Sequence, residues 1–251
     1  PREAESAAAV GSEVDTDKFL TAGDFVRGQL GDRLRDTLLG IWNDTGESGA
    51  YEPSPASTGR RALRYAVLGL LAAGTPDTTV KLIQRELANA SSMTAEIGAL
   101  TAMLSIDAPE REQELEKFYT RHKGDHLLVD KWFALNAYVA KAAKIEALMG
   151  HPDFRLSTPN RVYALIGGFT SMNLAGFHAA DGEGYRVVAD TILKLDKTNP
   201  QVAARLATGL RSWRLMDEPR RKAATGQLER ILATPGLSRD CFEIASKTPK
   251  G

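Results

Sequence analysis

FVRGQLGDRLRDTLLGIW, residues 25–42, places Phe25, Leu30, Leu34 and Leu38 four to five positions apart, with Ile41 and Trp42 three and four positions beyond Leu38. At about 3.6 residues per turn, that spacing gathers the apolar side chains on one face, with charged residues between them. The stretch predicts an amphipathic helix of about two dozen residues, within the natural range, that stops at Gly46. The following run, GESGAYEPSPASTG, is rich in Gly, Ser and Pro and predicts a connecting loop.

Helical spacing continues from there. A helix over Arg60–Ala73 ends at Gly74, and Thr75-Pro76-Asp77 opens the next with Pro at its first turn and Val80, Ile83 and Leu87 on one stripe. Further helices are predicted over Thr94–Ile106, Pro109–Arg121, Leu127–Ala140, Ala142–Met149, Pro159–Met172, Tyr185–Leu195, Pro200–Leu215, Pro219–Leu232 and Ser238–Ser246. No segment alternates with period two, so the fold class is all-α. Short turns between consecutive helices predict an irregular superhelical, solenoid-like array of antiparallel helix pairs. Pairs of about 35–40 residues lie in the range of helical repeats, but no sequence signature recurs at that period. The chain is read as one domain over 1–251, residues 1–20 being a loosely ordered lead-in. Its opening at Pro1 rather than Met is read as a start inside a longer polypeptide.

Composition bounds the function. The chain has 251 residues, 43% hydrophobic and 25% charged, and its 32 basic and 32 acidic side chains cancel. No net field draws it to nucleic acid or to an anionic membrane. The longest apolar run, AVLGLLAA at Ala66–Ala73, is far short of the roughly 20 residues that span a bilayer. The lone cysteine, Cys241, excludes an internal disulfide and is read as a small buried hydrophobe. With no secretory segment, it points to a reducing, cytoplasmic setting.

The residue patterns that carry chemistry elsewhere resolve into structural readings here. His122 and His126 stand four apart as zinc ligands on a helix would, but Lys123 replaces the expected Glu and Gly124 ends the helix between them. His151 and His178 have no second ligand at a useful spacing. Asp181-Gly182-Glu183-Gly184 lacks the carboxylates of a calcium loop and reads as a tight turn. Gly167-Gly168 has no preceding strand and reads as close helix packing. No serine has a nucleophile context. Arg211, Arg214, Arg220, Arg221 and Lys222 are interrupted by Asp217 and Glu218, and read as a solvated helix-turn-helix surface. Residue patterns alone thus reach a helical domain and no further.

Four ordered motifs extend the reading. Val129-Asp130-Lys131-Trp132-Phe133 is followed by Pro159-Asn160-Arg161 leading into Leu165-Ile166-Gly167. Phe177-His178-Ala179 comes next, with Asp181-Gly182 and Gly184-Tyr185, and then Asn199-Pro200-Gln201-Val202-Ala203 with Arg205-Leu206. Together with ANASSMT and the Arg60–Ala73 helix, they resemble the C-terminal helical domain of bacterial aminopeptidase N, gluzincin-type zinc metalloaminopeptidases, from about Phe25 to Lys247.

The resemblance implies a parent that removes N-terminal residues from peptides. Its zinc is held by two histidines of a His-Glu-x-x-His helix and a distal Glu, the motif Glu serving as general base. A Gly-Ala-Met-Glu-Asn loop and a Tyr complete that site; none of these motifs occurs in the 251 residues. The implied cofactor is therefore zinc in the parent and none in this chain, which is expected to be inactive alone. The implied partners are its own upstream catalytic domain and peptide substrates, the domain closing the active site into an internal chamber. Gln201, Arg205, Asn160 and Arg161 match residues at that chamber, with a local ion pair as the competing reading for Arg205. Gln201 and Arg205 stand one turn apart, so both side chains share a face. Tyr163 departs from relatives that carry Arg there. The competing function is an independent helical adaptor that binds peptides or proteins in a concave groove; it predicts a polar-rimmed groove where an excised domain exposes an apolar docking face.

Overall fold

Pro at the first turn and a Ser, Asn or Asp cap begin many of the helices, and these local signals set most element boundaries. The computed structural model describes residues 9–11, 13–46 and 51–247; residues 47–50 of the expected loop lie outside them. Among the described residues there are helices and one isolated bridge. They divide into two compact units, Thr21–Arg121 and Pro1–Leu20 with His122–Gly251.

The helices of the first part of the chain are α1 (Thr16–Arg33), α2 (Arg35–Asp44), α3 (Pro55–Gly74), α4 (Pro76–Asn89), α5 (Met93–Leu104) and α6 (Pro109–His122). Helix α3 begins inside the expected loop, because Ser54 accepts the Ser57 N–H and Pro55 presets the first turn. Ser92 caps α5 in the same way. The Thr21–Arg121 core is Leu38, Trp42, Val67, Leu68, Leu71, Ile83, Leu100, Met103, Leu115 and Phe118. Arg64 ties three helices together: it donates to Glu86 at 2.8 and 3.1 Å, to the Trp42 carbonyl at 2.7 Å, and lies over the Trp42 ring at 3.4 Å.

The opening stretch is only half a core stripe. Leu38 and Trp42 are buried, but Phe25, Leu30 and Leu34 are 66%, 44% and 45% exposed, and Val26 beside them is 54% exposed. The inward face is instead made by glycines. A Cβ on Gly31 would lie 2.0 Å from the Leu70 carbonyl oxygen and 2.8 Å from the Gly74 nitrogen, and one on Gly28 would touch Ala73. Backbone contact at α3 turns the larger side chains outward. The expected single helix also starts earlier, at Thr16, and breaks at Leu34.

The second unit contains α7 (His126–Val139), α8 (Ala142–Met149), α9 (Pro159–Val162), a π-helical turn (Tyr163–Gly167), α10 (Gly168–Met172) and α11 (Leu174–Phe177). It continues with α12 (Glu183–Asp196), α13 (Pro200–Ala207), a 3₁₀ segment (Thr208–Leu215), α14 (Glu218–Leu232) and α15 (Arg239–Lys247). Asn173 closes one junction, its amide donating to the carbonyls of Ala137 and Ala140 at 2.8 Å while its oxygen accepts the Gly176 N–H. Gly182, at φ +74°, makes the turn read at Asp181–Gly184. Cys241 is fully buried on α15. Burial and the adjacent Asp196, itself bonded to Ser238, push its thiol up to about 12.

Residues 13–20, within the expected lead-in, fold into this unit. Val14 and Thr16 are buried, the Val14 N–H donates to Leu215, and the Asp217 N–H donates to Val14. Arg220 likewise differs from the solvated surface expected of its cluster. It is buried and donates to the His178 carbonyl at 2.7 Å, to Asp17 at 2.6 Å and to Asp217 at 2.5 Å.

Candidate functional site

Helix α13 starts where Asn199 accepts the Val202 N–H and Pro200 occupies the first turn. Its sequence is amphipathic: Val202, Ala203, Leu206 and Ala207 are buried, whereas Gln201 and Arg205 are exposed. The two candidates therefore share the outer face, as their spacing predicts. Arg205 is not the partner of a local carboxylate; among the described residues no ion pair reaches it. Its guanidinium lies over the Tyr163 ring, 4.7 Å from the centroid.

Tyr163 opens the π-helical turn. The Gly168 N–H donates to the Tyr163 carbonyl five residues back, so one extra residue is accommodated in the turn. Gly168 rests on Ala137 of α7, which is the close packing read for the glycine pair. An uninterrupted helix over Pro159–Met172 was expected; the π turn replaces its middle.

Asn160 is exposed and Arg161 buried. Arg161 donates to Asp130 at 2.5 Å and to the Asp153 carbonyl at 2.8 Å, and lies 5.1 Å from the Phe133 ring centroid. Its donors are thus committed inside the fold, joining α9 to α7. The Val129–Phe133 and Pro159–Arg161 motifs meet in this one ion pair.

The Phe177–Ala179 and Gly184–Tyr185 motifs also meet. His178 is 1% exposed; its Nδ1 lies 2.6 Å from the Tyr185 hydroxyl and its Nε2 3.2 Å from the Ser212 hydroxyl. Burial, with the positive charge of Arg220 adding to it, pushes the imidazole down to about 3. Burial raises the Tyr185 phenol. The folded imidazole is therefore neutral between pH 3 and 6.5 while the unfolded one takes up a proton, so stability falls as pH falls through this window. Between pH 7 and 5.5 the loss is about 1 kcal/mol, and His178→Gln should remove that slope in urea unfolding.

A zinc ion finds no fit here. Both His178 nitrogens are engaged, and His151 packs on Trp132 and Phe133 while its Nδ1 accepts the Asp153 N–H. His122 ends α6 and His126 starts α7 after Asp125, which caps it. Among the described residues no group of three or more His, Cys, Asp or Glu side chains is placed to hold a metal. No helix there is long and apolar enough to cross a membrane.

The family model described as a domain of unknown function (DUF3458_C), ARM repeats, matches residues 1–250. The chain belongs to that family. This ARM-repeat domain is 36% identical to the aminopeptidase N of Caulobacter vibrioides over 229 residues, 90% of the chain and 26% of the relative. It is 32% identical to that of Haemophilus influenzae over 250 residues, 98% of the chain and 28% of the relative. The crystal structure of Legionella pneumophila aminopeptidase A in complex with aspartic acid superposes with a TM-score of 0.89 at 28% identity, covering 100% of the domain and 30% of that chain. The ARM-repeat domain thus spans 26–30% of the length of these relatives. The sequence names Gln201 and Arg205 as candidates through the resemblance but gives no sign of the Tyr163 contact, because no local spacing links positions 42 apart.

Proposed function

We propose that this chain is the non-catalytic C-terminal part of a zinc aminopeptidase, packed on its catalytic domain and enclosing the active site in a chamber that admits peptides. The observation that carries the reading is the match of nearly the whole chain to about a quarter of an aminopeptidase. The exposed side chains of Phe25, Val26, Leu30 and Leu34 support it, since an apolar helix face of this kind marks a surface that another element covers. A peptide-binding adaptor would instead need a groove with a polar rim.

Zinc, held by upstream residues, supplies the activated water in such an enzyme. The residues present here bind, orient and exclude. Enclosure restricts substrate length and removes bulk water. Gln201 and Arg205 on the outer face of α13 line the chamber, the guanidinium receiving a peptide carboxylate through paired hydrogen bonds. Asn160, exposed at the start of α9, is a further candidate for that lining, and Arg161 supports that start from within.

The test is hydrolysis of an alanine chromogenic amide, with zinc, by the chain alone and after mixing with the separately produced upstream part. Silence alone, with activity or altered peptide selectivity on mixing, is expected. Zinc-dependent turnover by the chain alone would overturn the reading.

A further inference from the structure

Three arginines inside the fold are tied by carboxylates, Arg64 by Glu86, Arg161 by Asp130, and Arg220 by Asp17 and Asp217, while Arg61 donates to the Glu52 carbonyl. Each of these three is buried. Arg205 is held differently. It is exposed, an aromatic ring lies under its guanidinium, and among the described residues no Asp or Glu pairs with it. The difference matters chemically. A carboxylate partner occupies the donors of a guanidinium and cancels its charge. A ring engages only the planar face, through its quadrupole, and leaves the in-plane N–H groups and the full charge available.

The backbone around the ring reinforces this. Tyr163 is fixed at the first position of the π turn, whose closing hydrogen bond runs from the Gly168 N–H to its own carbonyl. Single π turns inside helices occur frequently at functional sites, where they redirect one side chain. Here that residue is the one beneath Arg205. The stack also limits the rotamers of a long side chain before any ligand arrives, which lowers the ordering cost of binding.

We propose that Tyr163 is a positioning residue that pre-orients Arg205 to receive the C-terminal carboxylate of a short peptide substrate. The proposal rests on the chamber reading of α13. Tyr163 touches no substrate itself; it acts through the guanidinium it supports. A cation–π contact of this exposed kind is worth about a two- to fivefold change in affinity.

The experiment uses the complete parent polypeptide, with short alanine peptides offered as free acids and as C-terminal amides. In wild type the free acid has the lower KM. Tyr163→Leu is expected to raise the KM of the free acid relative to the amide by about two- to fivefold, with kcat little affected. Tyr163→Phe, which keeps the ring, restores the wild-type ratio. Tyr163→Met serves as a second ring-less variant should the leucine variant fail to fold. Arg205→Ala abolishes the preference for the acid, and adding Tyr163→Leu to it causes no further change in the ratio. If Arg205→Ala removes the preference while the ring-less variants retain it, Tyr163 has no positioning role. Equal losses on acid and amide also overturn the proposal, since they indicate a general structural defect. If Arg205→Ala itself leaves the acid-to-amide ratio unchanged, it is the underlying placement of α13 at the chamber that fails.

Discussion

Arg220→Met is expected to lower the unfolding free energy by about 3–5 kcal/mol, the range for removing one member of a buried ion pair. The guanidinium of Arg220 serves three acceptors at once: the Asp217 carboxylate, the Asp17 carboxylate and the His178 carbonyl. Methionine matches much of the stem but leaves Asp217 half-buried without its counter-charge and the buried carbonyl of His178 without that donor. It also releases Asp17, and with it one of the ties that hold the start of α1. Arg221→Met, next in sequence, is the control. Arg221 pairs with the exposed carboxylate of Glu13, and such a pair contributes about 0–1 kcal/mol. Urea unfolding of both variants gives the comparison; equal losses would mean that the buried junction does not act as drawn.

The second large effect is expected at Gly31→Ala, at about 3 kcal/mol or more, the upper end for overpacking. An added methyl would stand 2.0 Å from the Leu70 carbonyl oxygen and 2.9 Å from the Gly74 Cα. Those atoms belong to helix backbone, so relief requires α1 and α3 to separate. Alanine at Gly40, an exposed position of α2, meets nothing within 4 Å. There the higher helix propensity of alanine should stabilise by about 0.5–1 kcal/mol. Opposite signs for one chemical change at two helical glycines is the expected result, read from the urea midpoints of the two variants.

These two sites also mark where sequence reading succeeded and where it stopped. Helix starts were legible at Pro76, Pro159 and Pro200, because Pro presets the first turn, to which Asn199 adds a side-chain cap before Pro200; the capped start at Ser54-Pro55 was hidden by the Gly, Ser and Pro around it. The face of α1 was not legible. Phe25, Leu30 and Leu34 look like a core stripe by spacing, yet Gly28 and Gly31 make the contact with α3, and backbone-to-backbone approach leaves no hydrophobic pattern. Residues 13–20 were opaque for a different reason: their partners, Leu215, Asp217 and Arg220, lie some two hundred positions away. The π and 3₁₀ segments escaped because both continue the apolar period of the α-helices they interrupt. At the candidate site, the shared face of Gln201 and Arg205 followed from their four-residue spacing. The commitment of Arg161 to Asp130 did not, since it depends on how α9 meets α7.

Cys241 has a use that follows from its burial. With its thiol raised to about 12 and no exposed surface, it cannot react with an alkylating reagent while α15 stays in place, because the thiolate is the reactive form. As the lone cysteine of the chain, it is a built-in clock for the departure of the last helix. Its alkylation rate, divided by that of a free thiol, gives the fraction of molecules in which α15 is open, with no label introduced and no residue changed.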